Sequence, residues 1–196
     1  MGPLYASDPT ATLVFWSLFA LWALAEMVTY VRLRGRSLTQ KRDRGSRIVL
    51  VAGYWLAVLA AFAFAFAAPS AAITGHRHDV FYVGAAMLLG GLVLRQYAIV
   101  TLGRLHTLDV MTGVGQRVVE AGPYRWVRHP SYAGAMLTAA GILLCSTNWL
   151  SLSCFALVVG AYAYRIWVEE HALTQDLGAP YRAYMRRTKR LIPYVI

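Results

Sequence analysis

The sequence is poor in charge, and above all in negative charge. Only 9 of its 196 residues are Asp or Glu, and charged residues of both signs make up 14% of the chain. Soluble domains carry about 25% charged residues, and they are less apolar than the 58% found here. This composition argues against a soluble globular domain and favours a protein immersed in lipid.

Cysteine is equally scarce. Cys145 and Cys154 show neither a C-x-x-C pattern nor a metal-binding spacing, so we interpret both as small apolar helix residues. His76 and His78 flank Arg77 but have few further ligands nearby, which favours a polar surface loop over a metal site. The sequence therefore predicts no metal.

The chain contains long stretches without any charged residue. The two longest run over residues 48–76 and 129–164. A spanning helix needs about 20 apolar residues, so the first stretch predicts one helix. The second predicts two short helices joined by a turn at 146–148. With two further apolar segments, we predict an all-α integral membrane protein of about five transmembrane helices, at residues 11–31, 48–71, 80–101, 132–146 and 149–165.

The positive charges predict the orientation of these helices. No Lys or Arg precedes Arg32, which argues against a cleaved signal peptide. With five spans, 18 of the 19 Lys and Arg residues fall on one side, and cytoplasmic segments collect such residues. We expect the N-terminus outside and the C-terminus in the cytoplasm. The net charge of +10 is then explained by insertion and by lipid headgroups, so we expect a bilayer partner and no nucleic acid.

Polar chemistry collects in two segments on the predicted cytoplasmic side. The first contains Gly122-Pro123-Tyr124 and the run Arg128-His129-Pro130-Ser131-Tyr132-Ala133-Gly134. Proline is favoured at the first helical position, so a helix should begin near Pro130. His129 and Ser131 would then lie at a helix N-terminus, where a ligand carboxylate is well placed. The alternative is an ordinary capped helix entry with an interfacial His and Tyr.

The second segment continues the last predicted span. Glu169 and Glu170 are the only adjacent acidic residues in the chain, and Arg165 lies four residues before Glu169, on the same helix face. Carboxylates suit ribose hydroxyls or an amino group, and a guanidinium suits a carboxylate. The alternative is a surface salt bridge. Residues 178–184 then predict a short amphipathic helix on the membrane surface.

Together these residues resemble the isoprenylcysteine carboxyl methyltransferase family, within a wider group that includes phospholipid N-methyltransferases. The resemblance covers residues 102–193. The motifs that carry it are His106-Thr107-Leu108, Gly122-Pro123-Tyr124, Arg128 through Gly134, Arg165 with Glu169-Glu170, and Tyr181 through Tyr184.

The resemblance implies S-adenosyl-L-methionine as cofactor, bound in a cytoplasmic C-terminal pocket. It also implies that Arg165 orients the acceptor carboxylate. The positions that the resemblance assigns to the cofactor are His106, Thr107, Leu108, Tyr124, His129, Pro130, Ser131, Tyr132, Glu169 and Glu170. The chain would then be a single membrane domain, 1–196, with three helices in 1–101 and a cofactor-binding catalytic half in 102–196. No G-x-G-x-x-G motif follows a predicted strand, so the soluble α/β methyltransferase design is absent.

The expected function is methyl transfer to a lipophilic acceptor, in first place the carboxylate of an isoprenylcysteine-like or prenylated molecule. A phospholipid or a small lipophilic thiol or amine is the alternative acceptor. Two other classes are an NADPH-dependent membrane sterol or enone reductase, which usually has a longer chain, and a non-enzymatic membrane scaffold.

Two further predictions concern helix contacts. Glu26, near the end of the first span, should snorkel to the interface or pair with Arg95, and a place in the acceptor pocket is a further possibility. Gly84, Gly90 and Gly91 in the third span favour close helix packing.

Overall fold

The computed structural model describes residues 2–34, 40–41, 43–105, 111–112 and 118–194. Its helices, in chain order, are α1 (Pro9–Leu33), α2 (Ser46–Ala67), α3 (Arg77–Leu102), α4 (Pro130–Cys145), α5 (Trp149–Ser153), α6 (Phe155–Leu177) and α7 (Ala179–Arg187). Short 3₁₀ helices lie at Leu4–Ala6, Pro69–Ala71, Gly103–Leu105 and Gly122–Arg125. Two strands of two residues each, β1 (Gln40–Lys41) and β2 (Met111–Thr112), pair antiparallel.

Four segments of the described chain are long and apolar enough to cross a membrane: Pro9–Leu33, Ser46–Ala67, Arg77–Leu102 and the joined helices Trp149–Leu177. Large side chains such as Leu13, Ile48 and Val100 are 70% or more exposed, as suits a surface in contact with lipid. The predicted all-helical membrane architecture is confirmed. Helix α4 has 16 residues, or about 24 Å, and falls short of a hydrocarbon core of about 30 Å. The number of five spans therefore stays a prediction.

The predicted helix ends shift for local reasons. The second helix stops at Ala67, ahead of the predicted residue 71, because Pro69 has no N–H to donate and starts a separate 3₁₀ turn. The last span continues past the predicted residue 165 to Leu177. Helix α1 begins where Asp8 Oδ1 accepts the Ala11 N–H at 2.7 Å, and Pro9 takes the first helical position.

Glycines hold α3 and α4 together. A Cβ at Gly91 would lie 2.5 Å from the Thr138 backbone nitrogen, and one at Gly141 would lie 2.4 Å from the Leu88 nitrogen. Gly84 and Gly134 are equally confined by backbone atoms of the opposite helix. This glycine seam confirms close packing at Gly84 and Gly91.

The prediction is wrong for Gly90, around which the structure leaves open space. Gly90 and Gly91 are neighbours in the chain and point about 100° apart on the helix. Only one of them therefore faces α4.

Aromatic side chains connect α1 with α2. Phe62 of α2 lies among Phe15, Trp16 and Phe19 of α1, with ring centroids 5.9–6.1 Å apart. One level further along, the Trp22 ring stacks on Tyr54 at 5.8 Å. The rings around Phe62 occupy the half of the two helices that is remote from the basic loops, and the Trp22–Tyr54 pair lies where this aromatic cluster meets the other half.

The end of the bundle that carries few basic residues is closed by the turn between α4 and α5. Asn148 caps α5 by accepting the Leu150 N–H at 2.9 Å, and its Nδ2 donates to the Ala68 carbonyl at 2.9 Å. Cys145 and Cys154 lie nearby as buried free thiols. The turn therefore ties the end of α2 to the helical hairpin.

Candidate functional site

The polar residues singled out in the sequence meet where α4 begins and α6 ends. His129 precedes α4 and its ring stacks on Tyr132, with centroids 5.3 Å apart and planes 3° from parallel. The His129 imidazole makes no side-chain cap on the helix. Pro130 takes the first helical position, as predicted.

Chain from beyond α7 fixes this helix entry. The Arg128 N–H donates to the Lys189 carbonyl at 2.7 Å, and the His129 N–H donates to the Arg190 carbonyl at 3.0 Å. The Tyr184 hydroxyl donates to the Tyr124 carbonyl at 2.6 Å. The segment before α4 is therefore held by α7 and the residues that follow it.

Glu170 binds three basic groups. Its Oε1 lies 2.7 Å from Arg128 Nε and 3.3 Å from His129 Nε2, and its Oε2 lies 3.0 Å from Arg190 Nε. The side chains of Glu170 and Arg128 are only 5% and 8% exposed. A carboxylate this buried requires such partners. The Glu170 clamp, formed by these four residues, joins α6 to the entry of α4 and to the tail.

Glu169 points into a different network. The Tyr132 hydroxyl donates to Glu169 Oε2 at 2.5 Å and accepts from Arg165 Nε at 3.1 Å. Arg165 Nη1 donates to Asp43 Oδ1, and to Ser46 Oγ at 2.9 Å. The alternative of a surface salt bridge between Arg165 and Glu169 is wrong, because the Arg165 side chain is 4% exposed and pairs with the buried Asp43.

Arg95 connects α4 to α1. Its Nη2 donates to Glu26 Oε2 at 2.8 Å while its Nε donates to Glu26 Oε1, and its Nη1 donates to Ser131 Oγ at 3.2 Å. The predicted pairing of Glu26 with Arg95 is therefore confirmed. The Ser131 hydroxyl, predicted to face a ligand, accepts this hydrogen bond from Arg95 of α3.

A cavity of about 500 Å³ opens beside these networks. Its apolar lining comes mostly from the basic-loop halves of α1 and α2: Trp22, Met27, Leu33, Leu50, Val51 and Trp55. Its polar lining includes Glu26, Arg47, Arg95, Tyr132 and Arg165. Such a volume suits a small organic ligand, and the lining suits one with a long apolar part and an anionic end.

Two buried phenols lie close to the same carboxylates. Burial, followed by the charge of Glu169, raises the pKa of Tyr124 well above its usual range. Burial, followed by the charges of Glu169 and Glu170, has the same effect on the pKa of Tyr181. Both phenols therefore stay protonated near neutral pH. Within the described part of the chain, the buried Tyr181 hydroxyl has no hydrogen-bond partner.

The structure thus brings together most residues that the sequence singled out. Tyr124, His129, Pro130, Ser131, Tyr132, Arg165, Glu169 and Glu170 lie at the junction of α4 and α6. His106, Thr107 and Leu108 lie outside the described residues.

Sequence reasoning missed Asp43, and it missed the part that Arg128 and Arg190 take in the Glu170 clamp. The available signal for Asp43 was a single acidic residue in a strongly basic loop. At the opposite end, His76 pairs with Asp79 at 3.2 Å on the surface. No cluster of three or more potential metal-binding side chains occurs among the residues described.

A model of the isoprenylcysteine carboxyl methyltransferase (ICMT) family matches residues 84–175. That segment runs from α3 into α6 and contains Tyr132, Arg165 and Glu169.

Curated relatives carry the same family name. Protein-S-isoprenylcysteine O-methyltransferase B of Arabidopsis thaliana is 36% identical over 115 residues, which cover 57% of this chain and 58% of the plant protein. The probable protein-S-isoprenylcysteine O-methyltransferase of Oryza sativa subsp. indica is 34% identical over 119 residues, covering 59% and 62%. The enzyme of Saccharomyces cerevisiae is 32% identical over 116 residues, covering 58% and 48%. The match thus spans less than two thirds of each of these relatives.

A solved structure extends the likeness to nearly the whole fold. The eukaryotic intramembrane Ras methyltransferase ICMT aligns with a TM-score of 0.67 and 21% identity, covering 98% of this chain and 70% of that one. The helical membrane architecture is therefore shared. Residues 84–175 of this chain match the isoprenylcysteine carboxyl methyltransferase family model, and most of that stretch lies within residues 102–193, where the sequence carries the resemblance.

Proposed function

We propose that the chain is an S-adenosyl-L-methionine-dependent membrane methyltransferase, and that its acceptor is the carboxylate of an isoprenylcysteine-like lipid. One observation carries the proposal. Arg165 lines an apolar cavity and is hydrogen-bonded through Tyr132 to Glu169, at the entry of α4. The Arg165 guanidinium, which can bind a carboxylate, thus lies between the apolar cavity and the polar residues at the entry of α4.

The residues at the α4 entry fit the predicted cofactor. Glu169 is a half-buried carboxylate, suited to hydroxyl or amino groups, and the first turn of α4 favours an anion such as a carboxylate. The Tyr181 hydroxyl, without a partner in the described chain, adds a buried donor nearby. S-adenosyl-L-methionine would supply an electrophilic methyl group. His129, Pro130, Tyr132, Tyr124, Ser131, Glu169 and Glu170 are the described residues that we assign to this pocket, together with His106, Thr107 and Leu108.

The chain's own residues then have a limited chemical task. A carboxylic acid is ionised near neutral pH, so the acceptor needs no general base. Arg165 orients the acceptor oxygen toward the methyl group, and the apolar cavity walls exclude water. Bound S-adenosyl-L-methionine would supply the methyl group to this oxygen and would leave as the neutral thioether S-adenosylhomocysteine. Positioning of this kind lowers a barrier by several kcal/mol.

The lipophilic part of the acceptor occupies the cavity between α1 and α2. Trp22, Leu50, Val51 and Trp55 form an apolar wall that suits an isoprenoid chain. The cavity lies in the basic-loop half of the bundle, which positive-charge placement assigns to the cytoplasm. We therefore propose that the N-terminus lies outside and that the cofactor pocket faces the cytoplasm.

The other acceptors and the reductase are less well supported. The comparisons name carboxyl methyltransferases, and an arginine in the cavity suits an acid better than an amine. A reductase would bind NADPH, which gives a direct means of separating the two classes.

The first test is calorimetric titration of S-adenosylhomocysteine into detergent-purified protein, with NADPH titrated in parallel. We expect micromolar binding of S-adenosylhomocysteine that is lost in Glu169→Ala but kept in Glu120→Ala, a surface carboxylate. Methylation of a farnesylated cysteine analogue would then establish the acceptor class. Well-folded protein that binds NADPH and no S-adenosylhomocysteine would overturn the proposal.

A further inference from the structure

Asp43 is a buried carboxylate just before α2. It is 4% exposed, although it lies next to a strongly basic loop. Its Oδ1 accepts from Ser46 Oγ at 3.0 Å and from Arg165 Nη1, and its Oδ2 accepts from the Arg47 N–H at 3.2 Å. A carboxylate is rarely buried without such partners, so this position is built to hold a charge.

The Asp43 carboxylate contacts Arg165 on the side that faces away from the cavity. Arg165 lines the cavity between α1 and α2, whereas Asp43 does not. On its other edge the guanidinium donates through Nε to Tyr132, which also lines the cavity. An acceptor that approaches from the cavity therefore meets Arg165 first, whereas Asp43 lines a separate pocket beside α2.

Described backbone contacts lie on both sides of Asp43 in the chain. Two residues earlier, Lys41 of β1 pairs with Met111 of β2, and Gln40 pairs with Thr112. Toward α2, the Ser46 N–H donates to the Asp43 carbonyl at 2.8 Å and starts the helix. The carboxylate is thus anchored between a β-pairing and a helix start.

We propose that Asp43 is a positioning residue for the acceptor reaction: it aims the Arg165 guanidinium and moderates the attraction of Arg165 for the acceptor carboxylate. The inference rests on the proposed function. Methyl transfer converts the negative carboxylate into a neutral ester, so an unmoderated arginine would stabilise the ground state more than the transition state. A neighbouring negative charge in a poorly screened site weakens that unproductive attraction.

A distinct role for Asp43 would be to occupy Arg165 until an acceptor displaces it. The helix start at Ser46 and the two hydrogen bonds that the carboxylate accepts from Ser46 and Arg47 argue against displacement. The two roles also give opposite kinetics. Displacement predicts that removing the Asp43 charge raises kcat/KM without lowering kcat. Positioning predicts tighter binding of the acid together with a lower kcat.

The test is Asp43→Asn in the full chain, reconstituted in lipid nanodiscs. Turnover of a farnesylated cysteine analogue and the affinities for its acid and its methyl ester are measured. We expect kcat to fall about tenfold and the preference for acid over ester to rise about fivefold. Asp79→Asn is the matched control, because Asp79 is exposed at the opposite end beside His76, and it should change neither quantity.

Equal weakening of acid and ester would mean that Asp43 is merely structural, and an unchanged kcat would also overturn the inference. A rise in kcat/KM with intact kcat would favour displacement. If Asp43→Asn does not fold, Ser46→Ala replaces it, since it keeps the Asp43 charge and removes the hydroxyl that accepts from Arg165 at 2.9 Å and donates to Asp43 at 3.0 Å. Ser46→Ala should shift kcat and acid preference in the same directions, and no shift would refute positioning. Wild-type protein that methylates no acid would instead reject the proposed function.

Discussion

Helices α3 and α4 pack backbone against backbone along the glycine seam, whereas α1 and α2 meet through the large rings of the aromatic cluster. At the seam a single added Cβ would lie within 3 Å of backbone atoms of the opposite helix. Between α1 and α2 the ring centroids stand about 6 Å apart, and the same two helices border a cavity of about 500 Å³. The α3–α4 contact therefore leaves no room for a ligand, whereas α1 and α2 border a cavity.

The difference follows from how helices associate in lipid. Without a hydrophobic driving force between helices, close backbone contact at small residues supplies van der Waals attraction. The seam thereby fixes the entry of α4, including Ser131 and Tyr132. Aromatic contacts keep α1 and α2 apart, so their basic-loop halves can accommodate a lipophilic molecule.

Filling the seam should have the largest effect. Gly91→Val would place side-chain atoms on the Thr138 backbone, and we expect the free energy of unfolding to fall by about 3 kcal/mol. Denaturant titration in detergent measures it. Gly90→Val, one residue away and surrounded by open space, is the matched control. Equal losses for both variants would show that the seam is not closely packed.

The second largest effect is expected from removing the positive charge of Arg165, which lines the cavity. Arg165→Gln removes the group that we propose orients the acceptor, so kcat/KM for the acid should fall roughly a hundredfold while S-adenosylhomocysteine still binds. Arg182→Gln, on the exposed surface of α7, should leave turnover unchanged. Undiminished turnover in Arg165→Gln would remove Arg165 from the proposed reaction.

Breaking the ion pair that joins α1 to α3 should cost less. Glu26→Gln leaves Arg95 without its anion, and we expect the free energy of unfolding to fall by about 2 kcal/mol. The loss is smaller than for a fully buried pair because the Glu26 and Arg95 side chains are 29% and 15% exposed and water screens the remaining charge. Glu120→Gln breaks a surface pair with Arg187, exposed by 47% and 60%, and should cost at most about 0.5 kcal/mol. Similar losses in both variants would mean that Glu26 acts as an ordinary surface residue.

Narrowing the cavity should give the smallest effect, and this effect should differ between acceptors with longer and shorter apolar chains. Leu50→Trp adds volume to the wall between α1 and α2, so KM for a farnesylated acceptor should rise about fivefold. An acceptor with a shorter apolar chain should be affected less, and cofactor affinity should not change. A KM that rises equally for both acceptors would argue that the chain binds elsewhere.

Charge-free stretches and basic loops sufficed to predict the helical membrane fold, because lipid imposes those patterns directly. The choice between Gly90 and Gly91 was not accessible, since hydropathy does not reveal which face of α3 meets α4. The family resemblance identified the residues around α4 and α6. Asp43 escaped because its partner Arg165 lies 122 residues away, and a contact over that distance leaves no local pattern.

The backbone contacts between the entry of α4 and the residues after α7 also bear on the order of events during synthesis. The last spanning segment is complete at Leu177, yet the entry of α4 closes only when Lys189 and Arg190 arrive to accept the Arg128 and His129 amides. We therefore expect insertion into the bilayer to precede completion of the proposed pocket. A nascent chain stopped after Leu177 would have its spans in place but lack the contacts that hold the α4 entry, so competence for ligand binding would be acquired last.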